Sequence, residues 1–312
     1  MIVMNEQPSH VESFPRWLDE FIYGQLGAEY APDFNRYTYN VDLNPEELKI
    51  YLGTYFPRSF VECRYLFLLL FQRTEYAYIM RHKQTLNVLD FGCGSGGNLV
   101  GLLEFADCYL PELQQVNIIA IDANQGALRL CEKVVAEFCK RSRLSISMVP
   151  GPAFVGDNDD LSLICSILDQ KFDVILSFKA ICELVAKKRI DTNAYRYCAS
   201  LLSAKLADDG IMLFVDVTVK SDAIGMFVPQ YMNTGLNEFV VDSGGEYATI
   251  LPASCRKNGG KCKCGCFFSE ILHLRHSHSA SERTKIVYRF MGHRALAEQI
   301  CKMQDVDINC KY

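Results

Sequence analysis

The residues of this sequence whose types and spacing best suit chemistry lie between positions 87 and 98. A short apolar run ends at Asp90 and is followed by Gly92, Gly94, Gly96 and Gly97. Glycine permits left-handed dihedrals and lets a ligand approach the main chain closely. The spacing is G-x-G-x-G, which differs from the dinucleotide fingerprint G-x-G-x-x-G. The pattern predicts a strand, a glycine turn and a helix; the turn either binds a ligand or is a plain connection.

Polar residues also follow two later apolar runs. The first run reaches Asp122, where an acidic residue can meet a ribose diol. The second is followed by Ser177, Lys179 and Glu183. Because parallel strands end at the same edge of a sheet, we expect these side chains to line one site. Glu183 has an alternative interpretation as a helix-start residue that faces the helix dipole.

From residue 86 to residue 217, these runs and a further strand at 211–217 resemble class I S-adenosylmethionine-dependent methyltransferases. The resemblance implies that the glycine turn holds the methionine end of the cofactor and that Asp122 holds the ribose hydroxyls. The implied cofactor contacts are Asp90, Gly92, Cys93, Gly94, Gly96, Asp122, Ala123 and Ser177. The candidate catalytic residues at the acceptor side are Ser177, Lys179 and Glu183. The Asn/Asp-Pro-Pro-aromatic motif of many amino-directed methyltransferases does not occur after Phe178.

The elements needed to position these residues follow from the alternation of strands and helices after residue 86. We predict an α/β, Rossmann-like class I methyltransferase fold, with a mostly parallel seven-stranded sheet closed by an antiparallel hairpin. The expected segments are an N-terminal helical extension (1–85), a cofactor-binding core (86–220), an insertion with a cysteine cluster (221–266), and closing strands with a terminal helix (267–312). Residues 221–251 are expected to be irregular and to form either a lid or a substrate-side insertion. Asn44 is expected to cap a helix that has Pro45 at its first position. Pro57 is expected to end one helix, and Ser59 to cap the next. The turn at 51–60 either lies over the pocket, with Tyr55 and Arg58 as polar contacts, or simply joins two packed helices.

Composition bounds the class of protein and its partners. The chain has 312 residues, 49% hydrophobic and 22% charged, with a net charge of −5. These values suit a globular protein and argue against one that coats nucleic acid. The longest apolar run, 65–71, is too short for a bilayer, and we see no signal pattern at the start. We therefore expect a soluble, intracellular, cytoplasmic protein without a membrane partner; its oligomeric state is left open.

Three basic clusters could still dock a structured RNA, although each is also a common kind of solvated surface run. They are Lys140, Arg141 and Arg143; Lys187, Lys188 and Arg189; and Arg256, Lys257, Lys261 and Lys263.

Four of the fourteen cysteines are crowded together at Cys255, Cys262, Cys264 and Cys266. Thiolates at this density suit zinc or an iron-sulfur cluster, and His273, His276 or His278 could supply a ligand. A reduced, metal-free loop is the alternative. If Phe267 begins a parallel strand, the cluster lies away from the cofactor edge, which favours a structural or docking role.

A narrower resemblance joins the turn at 51–60, the stretch from Ser177 to Leu184, the run from Cys266 to Ser269, and Arg275. Together they resemble the mitochondrial small-ribosomal-subunit assembly methyltransferase-like family. This implies a four-cysteine metal site and a fold that acts on, or docks to, small-subunit ribosomal RNA. The chain lacks that family's Cys-Pro-His and Cys-Pro-Leu pairs.

The sequence thus leads to three hypotheses. We expect a methyltransferase acting on RNA, with ribosomal RNA as the candidate. The first alternative is a small-molecule methyltransferase, which the acidic composition and the expected lid favour. The second is a methyltransferase-fold binding module in ribosome assembly, without catalysis.

Overall fold

The computed structural model of the chain describes residues 11–32, 41–252 and 269–301. A mixed sheet forms its centre, and a separate two-stranded ribbon consists of β7 and β8. The strands in chain order are β1 (Val11–Ser13), β2 (Thr85–Phe91), β3 (Gln115–Asp122), β4 (Ser145–Pro152), β5 (Phe172–Phe178), β6 (Leu206–Val217), β7 (Lys220–Ser221), β8 (Met226–Phe227), β9 (Tyr247–Leu251), β10 (Ser269–His276) and β11 (Ser279–His293).

The order of strands in the sheet is β1-β10-β11-β6-β5-β2-β3-β4, and β9 also pairs with β11. The five strands β2 to β6 are mutually parallel, whereas β11 is antiparallel to β6 and to β10. The predicted parallel sheet with a closing antiparallel hairpin is therefore confirmed. Strands β1 and β9 add to the seven that the sequence predicts. Strands β2, β3, β5 and β6 end at the same edge of the sheet. We call it the carboxyl edge.

Helices cover both faces of this sheet, so its central strands are buried on both sides. The helices are α1 (Arg16–Asp19), which continues as the π-helical turn Glu20–Gln25, α2 (Pro45–Phe71), α3 (Thr74–Arg81), α4 (Gly97–Tyr109), α5 (Gln125–Cys139), α6 (Asn158–Ser166), α7 (Ile181–Ala186), α8 (Ala194–Ser203), α9 (Val228–Asp242) and α10 (Arg294–Cys301). One core lies under α2, α4, α5 and α10, and the other lies under α6 to α9. In the described part of the chain, none of the helices has both the length and the apolar character to cross a membrane.

Helix α2 runs unbroken through Pro57, so the prediction that this proline ends a helix is wrong. Its first turn is as predicted, because Asn44 caps it in a reciprocal capping box. A proline inside a helix leaves the carbonyl four residues earlier without its donor. Here the Tyr23 hydroxyl donates to the Gly53 carbonyl at 2.5 Å. Tertiary contact thus replaces the lost helical hydrogen bond, and Ser59 lies inside the helix rather than at its start.

Residues 221–251 are not irregular, so the expectation of irregular structure there is wrong. The segment contains the ribbon, helix α9 and strand β9. Helix α9 buries Val228, Met232, Leu236 and Phe239, which are spaced for one face of a helix. This apolar face packs in the same core as β6 and β11. The segment is therefore part of the wall of the domain.

The hairpin of β10 and β11 extends beyond the carboxyl edge. Ile286 pairs with Val217, the last residue of β6, and the earlier residues of β11 pair with β10. Strand β10 begins at Ser269 opposite Val287, which itself pairs with Asp216 of β6. The chain therefore enters β10 level with the carboxyl edge, so the expectation that this entry lies away from the edge is wrong. The register of a strand fixes this level, and the sequence does not reveal it.

Candidate active site

The glycine turn, residues 92–97, connects β2 to α4 at the carboxyl edge. Its glycines have left-handed dihedrals, with φ of 77° at Gly92, 53° at Gly94 and 86° at Gly96. A Cβ atom at Gly94 would collide with the hydroxyl of Tyr51, which lies on α2. A side chain at this position is thus opposed by both backbone strain and lack of space.

Asp122, at the end of β3, faces this turn. Its Oδ2 accepts a hydrogen bond of 2.7 Å from the Gly94 N–H, and its Oδ1 accepts one of 2.8 Å from the Asn124 N–H. Burial raises the pKa of Asp122, and these two donors oppose that shift. Ala123 lies half-buried in the connection to α5. The structure therefore brings the glycine turn and Asp122 into contact.

Two of the predicted cofactor residues point behind the turn. Asp90 is fully buried and accepts hydrogen bonds of 2.8 and 2.9 Å from the Asn98 amide. Burial raises the pKa of Asp90 to about 8. Cys93 is also buried, and a contact with Cys131 of α5, followed by burial, raises the pKa of its thiol. The side chains of Asp90 and Cys93 thus support the turn from inside the domain.

The end of β5 supplies the other predicted group. The Ser177 hydroxyl is buried and has no hydrogen-bond partner among the described residues. Lys179 has a φ of 57°, and its backbone N–H donates to the Val215 carbonyl. A non-glycine residue in the left-handed region costs about 1–3 kcal/mol and is concentrated at functional sites.

The Lys179 side chain is held by a residue that the sequence analysis missed. Its ammonium lies 2.6 Å from Glu62 of α2, which is completely buried. Thr284 of β11 also donates to this carboxylate, at 2.5 Å. Helix α2, the β5–α7 connection and β11 therefore meet at one buried carboxylate. The sequence signal for Glu62 was that it is the single acidic residue inside the apolar stretch 60–71.

Tyr51 closes the space above the glycine turn. Burial, followed by the charges of Asp122 and Glu183, raises the pKa of Tyr51 well above its usual value. Both carboxylates are therefore near enough to act on the hydroxyl, and Glu183 lies half-buried in the first turn of α7. Gly94, Asp122, Tyr51 and Glu183 thus surround one small region at the carboxyl edge.

Asp216, near the end of β6, is a second buried acid that the sequence analysis missed. It accepts hydrogen bonds from the Tyr195 hydroxyl at 2.7 Å and the Cys182 N–H at 3.1 Å. Burial raises its pKa. These contacts fix the start of α7 against β6, so Asp216 supports the acceptor side from behind.

The two residues proposed from the turn at 51–60, Tyr55 and Arg58, lie next to each other. The Arg58 guanidinium lies 5.6 Å from the centre of the Tyr55 ring and pairs with Glu282 at 2.5 Å. Glu282 also accepts a hydrogen bond of 3.0 Å from His276. Arg58 therefore joins α2 to the β10–β11 hairpin.

The predicted metal ligands Cys255, Cys262, Cys264 and Cys266 lie outside the described residues, so the metal site stays a prediction. Within the described ranges, no group of three or more His, Cys, Asp or Glu residues could hold a metal ion. The histidines considered as further ligands have other partners. His276 contacts Glu282 and Tyr23, His273 contacts Ser281, and His278 packs on Tyr23.

The strand order, the antiparallel final strand and the glycine turn after β2 define a Rossmann-like class I methyltransferase fold. Among solved structures, the chain is similar to magnesium protoporphyrin IX methyltransferase from Synechocystis PCC 6803, determined with bound S-adenosylhomocysteine. That match has 10% identity and a TM-score of 0.45, and covers 89% of this chain and 97% of the other.

Two further similar structures are precorrin-6y C5,15-methyltransferase from Geobacter metallireducens and TrmN from Thermus thermophilus. The first has 14% identity and a TM-score of 0.36, covering 70% of this chain and 85% of the other. The second has 12% identity and a TM-score of 0.37, covering 71% of this chain and 48% of the other. No protein-family model and no curated protein matches the chain. The fold assignment therefore rests on the topology.

Proposed function

We propose that this protein is an S-adenosylmethionine-dependent methyltransferase whose acceptor is an RNA. The observation that carries the cofactor assignment is the contact between the Gly94 N–H and the Asp122 carboxylate at the carboxyl edge. It joins a left-handed glycine turn to an acidic strand end. In open α/β sheets, ligands bind in the crevice at this edge.

The chemistry of these residues fits the cofactor. The Asp122 oxygens can accept further hydrogen bonds from a diol. The Ser177 hydroxyl, buried without a partner among the described residues, is available to a bound group. When bound, S-adenosylmethionine supplies a methyl group already activated by its sulfonium. The protein then has to align the acceptor and exclude water.

The residues at the edge divide this work. Tyr51 covers the glycine turn and excludes water from it. The Lys179 side chain is held by Glu62 in an ion pair of 2.6 Å, so it places a positive charge at a fixed point beside the site. Glu183 lies near the Tyr51 hydroxyl and is the carboxylate placed to accept a proton from the acceptor, if the acceptor carries one.

The RNA acceptor is supported by the narrower resemblance, whose motifs around 51–60 and 177–184 both lie at this edge. The small-molecule alternative depended partly on a lid at 221–251, and that segment is instead the helix α9 and the strand β9. The same resemblance supports a metal at the four cysteines. Zinc, iron and acid-labile sulfide should be measured after anaerobic purification, and the absence of all three would remove the metal from the proposal.

The cofactor site is tested by Asp122→Asn, with Asp173→Asn as the matched control. Asp173 likewise accepts a backbone N–H and pairs with Lys83, but it lies at the opposite edge of the sheet. Removing the charge at Asp122 should cost about 1.5–3 kcal/mol of binding, a ten- to hundredfold weaker affinity. Titration calorimetry with S-adenosylhomocysteine measures it. Equal affinities in the two variants would remove Asp122 from the site.

The acceptor is tested with labelled S-adenosylmethionine in an extract of cells that lack this protein. Half of each reaction is treated with ribonuclease before counting. Nuclease-sensitive label that is lost with Asp122→Asn is expected. Label in small molecules would instead establish the first alternative, and cofactor binding without any transfer would establish the binding module.

A further inference from the structure

The β10–β11 hairpin carries a basic surface beyond the carboxyl edge. Side chains alternate between the two faces of a strand, and the register places Ile271 opposite Lys285 and His273 opposite Arg283. We call this surface the hairpin face, and its members are Ile271, His273, Arg275, Ser281, Arg283 and Lys285. The alternate residues of both strands, from Leu272 to Thr284, are buried against the domain.

The cations of the hairpin face have no acidic partner in the part of the chain that the structure describes. Arg275 donates only to the Ala280 carbonyl, and Arg283 and Lys285 form no ion pair there. The buried face of the same hairpin, by contrast, carries Glu282 in contact with Arg58. The hairpin therefore keeps its acid inside and directs its unpaired positive charge to solvent.

The basic clusters found in the sequence behave differently. Lys140 and Arg141 both pair with Glu137, and Arg143 bonds to backbone carbonyls. Arg189 donates to the Val155 carbonyl and covers the Phe154 ring. The third cluster, 256–263, lies outside the described residues. The hairpin face is thus a basic surface that the sequence clusters did not reveal.

An exposed apolar group lies on the same side of the sheet. Arg289 of β11 donates a hydrogen bond to Asn233 of α9. Arg283 and Lys285 lie six and four residues before Arg289, so their side chains are on the same face of β11, the face toward α9. The ribbon of β7 and β8 precedes α9 on that side. Its residues Met226 (40%) and Phe227 (45%) are exposed, as is Val219 (56%), which precedes Lys220 of β7.

The hairpin face is also close to the candidate active site. Lys285 precedes Ile286, which pairs with the last residue of β6, and β6 is the neighbour of β5. Neighbouring strands are about 4.8 Å apart, so the base of the hairpin face lies about 10 Å sideways from the end of β5. A strand bound there would pass the Ser177–Glu183 edge.

We propose that the hairpin face and the β7–β8 ribbon together bind a single-stranded polynucleotide. Arg275, Arg283 and Lys285 would pair with phosphates, and the exposed Phe227 ring would stack on a base, which is the combination that single-strand binding uses. This inference rests on the proposed RNA acceptor and adds the surface that holds it. An acidic protein would use the charges but not the aromatic ring.

The test compares two charge-reversed double variants. Arg283→Glu/Lys285→Glu changes the hairpin face, and Arg129→Glu/Lys133→Glu makes the same change in charge on the exposed side of α5. Fluorescence anisotropy with a labelled mixed-sequence 20-nucleotide RNA, and with DNA of the same sequence, measures binding from 50 to 300 mM salt. All four residues are solvent-facing, and melting curves check that both variants fold.

We expect the hairpin variant to lose at least tenfold in RNA affinity at 150 mM salt, and the α5 variant less than twofold. The slope of log affinity against log salt should become shallower by about 1.4, since each of two lost phosphate contacts contributes about 0.7 for a single strand. Phe227→Leu should weaken binding about five- to tenfold, whereas Phe227→Tyr retains it. Binding of the DNA with equal affinity also supports the proposal, because phosphates and base faces are common to both.

Three results would overturn the proposal. They are equal losses in the two double variants, no effect of Phe227→Leu, and polyglutamate binding as tightly as RNA, which would indicate an acidic protein partner. Affinity for S-adenosylhomocysteine is measured on the same samples. If the unchanged protein binds S-adenosylhomocysteine but no RNA, the result counts against the surface alone. RNA binding without cofactor affinity counts against the proposed function.

Discussion

At the scale of single residues, the site depends on one glycine whose two constraints can be separated. Gly94 has a left-handed backbone, and its missing side chain leaves room for the Tyr51 hydroxyl. Gly27 has a similar φ of 67°, but a Cβ there would meet nothing within 4 Å. The pair therefore distinguishes backbone strain from lack of space.

Gly94→Ala should lose about 2–4 kcal/mol of stability, and Gly27→Ala about 1 kcal/mol, because only the first adds a clash to the backbone strain. Cofactor affinity should fall only in Gly94→Ala. Adding Tyr51→Phe removes the atom nearest to the new methyl group and should recover part of the stability. Urea unfolding is measured on the unchanged protein, Gly94→Ala, Gly27→Ala and Gly94→Ala/Tyr51→Phe. Similar losses of stability at both glycines would show that the Tyr51 contact is unimportant.

The buried Asp90 predicts a pH dependence of stability. Its pKa is raised to about 8 in the folded protein, so the folded state holds a proton that the unfolded state releases between about pH 4 and pH 8. Stability contributed by Asp90 therefore falls as the pH rises through this window. In Asp90→Asn this loss is absent.

The free energy of unfolding of Asp90→Asn minus that of the unchanged protein should accordingly increase from pH 5 to pH 8, by up to about 1.4 kcal/mol per pH unit. Asp169→Asn, at an exposed position, serves as the control and should give a flat difference. A flat difference for Asp90→Asn as well would mean that this carboxyl ionises normally in the fold.

At the scale of elements, α2 positions more of the site than any single strand. It carries Tyr51 over the glycine turn and Glu62 under Lys179, and it continues through Pro57. Its close packing on α4 requires Gly97 and Gly101, since a Cβ at either would press on a carbonyl of Phe56 or Phe60. The continuity of α2 thus links the two sides of the site.

Tyr23→Phe should destabilise the protein by about 1 kcal/mol, because the Gly53 carbonyl freed by Pro57 loses its donor. Tyr78→Phe, on the exposed surface of α3, should change stability by less than about 0.5 kcal/mol. Thermal and urea unfolding measure both. If the two variants were equally stable, water would satisfy the Gly53 carbonyl and the hydroxyl would be dispensable.

At the scale of the whole molecule, the Glu62–Lys179 pair ties together three distant parts of the chain. Glu62→Gln leaves the Lys179 ammonium without its counter-charge. Because the Lys179 side chain is one-fifth exposed, we expect the protein to lose about 2 kcal/mol of stability, less than for a fully buried pair. The double variant Glu62→Gln/Lys179→Met should recover about half of it. Lys140→Met, at a surface pair, should cost less than about 0.5 kcal/mol.

A loss in Glu62→Gln that the double variant does not recover would show that Glu62 acts by its packing and not by its charge. Denaturant unfolding of the unchanged protein, Glu62→Gln, Lys179→Met and the double variant completes the cycle. Transfer activity measured in parallel should fall in both Glu62→Gln and the double variant, since each changes the charge at the β5–α7 connection.

What the sequence determined by itself is local or periodic. The strands, the glycine turn, Asp122 and Ser177 follow from apolar runs that end in polar residues, and the closing hairpin follows from two strands separated by a polar turn. Asn44 and Pro45 also mark the start of α2 correctly, because capping depends on neighbouring residues. These features need no knowledge of distant contacts.

The tertiary structure alone decided the features that depend on distant partners. Pro57 continues a helix because Tyr23, far along the chain, supplies the missing donor. Helix α9 was missed although its apolar residues have helical spacing, because the glycines in and around it favoured an irregular segment; burial against β6 and β11 selects the helix. Glu62 finds Lys179, and Arg283 faces solvent rather than the core, only through the packing and register of β11. Contacts between residues far apart in sequence set these outcomes, and a local pattern does not encode them.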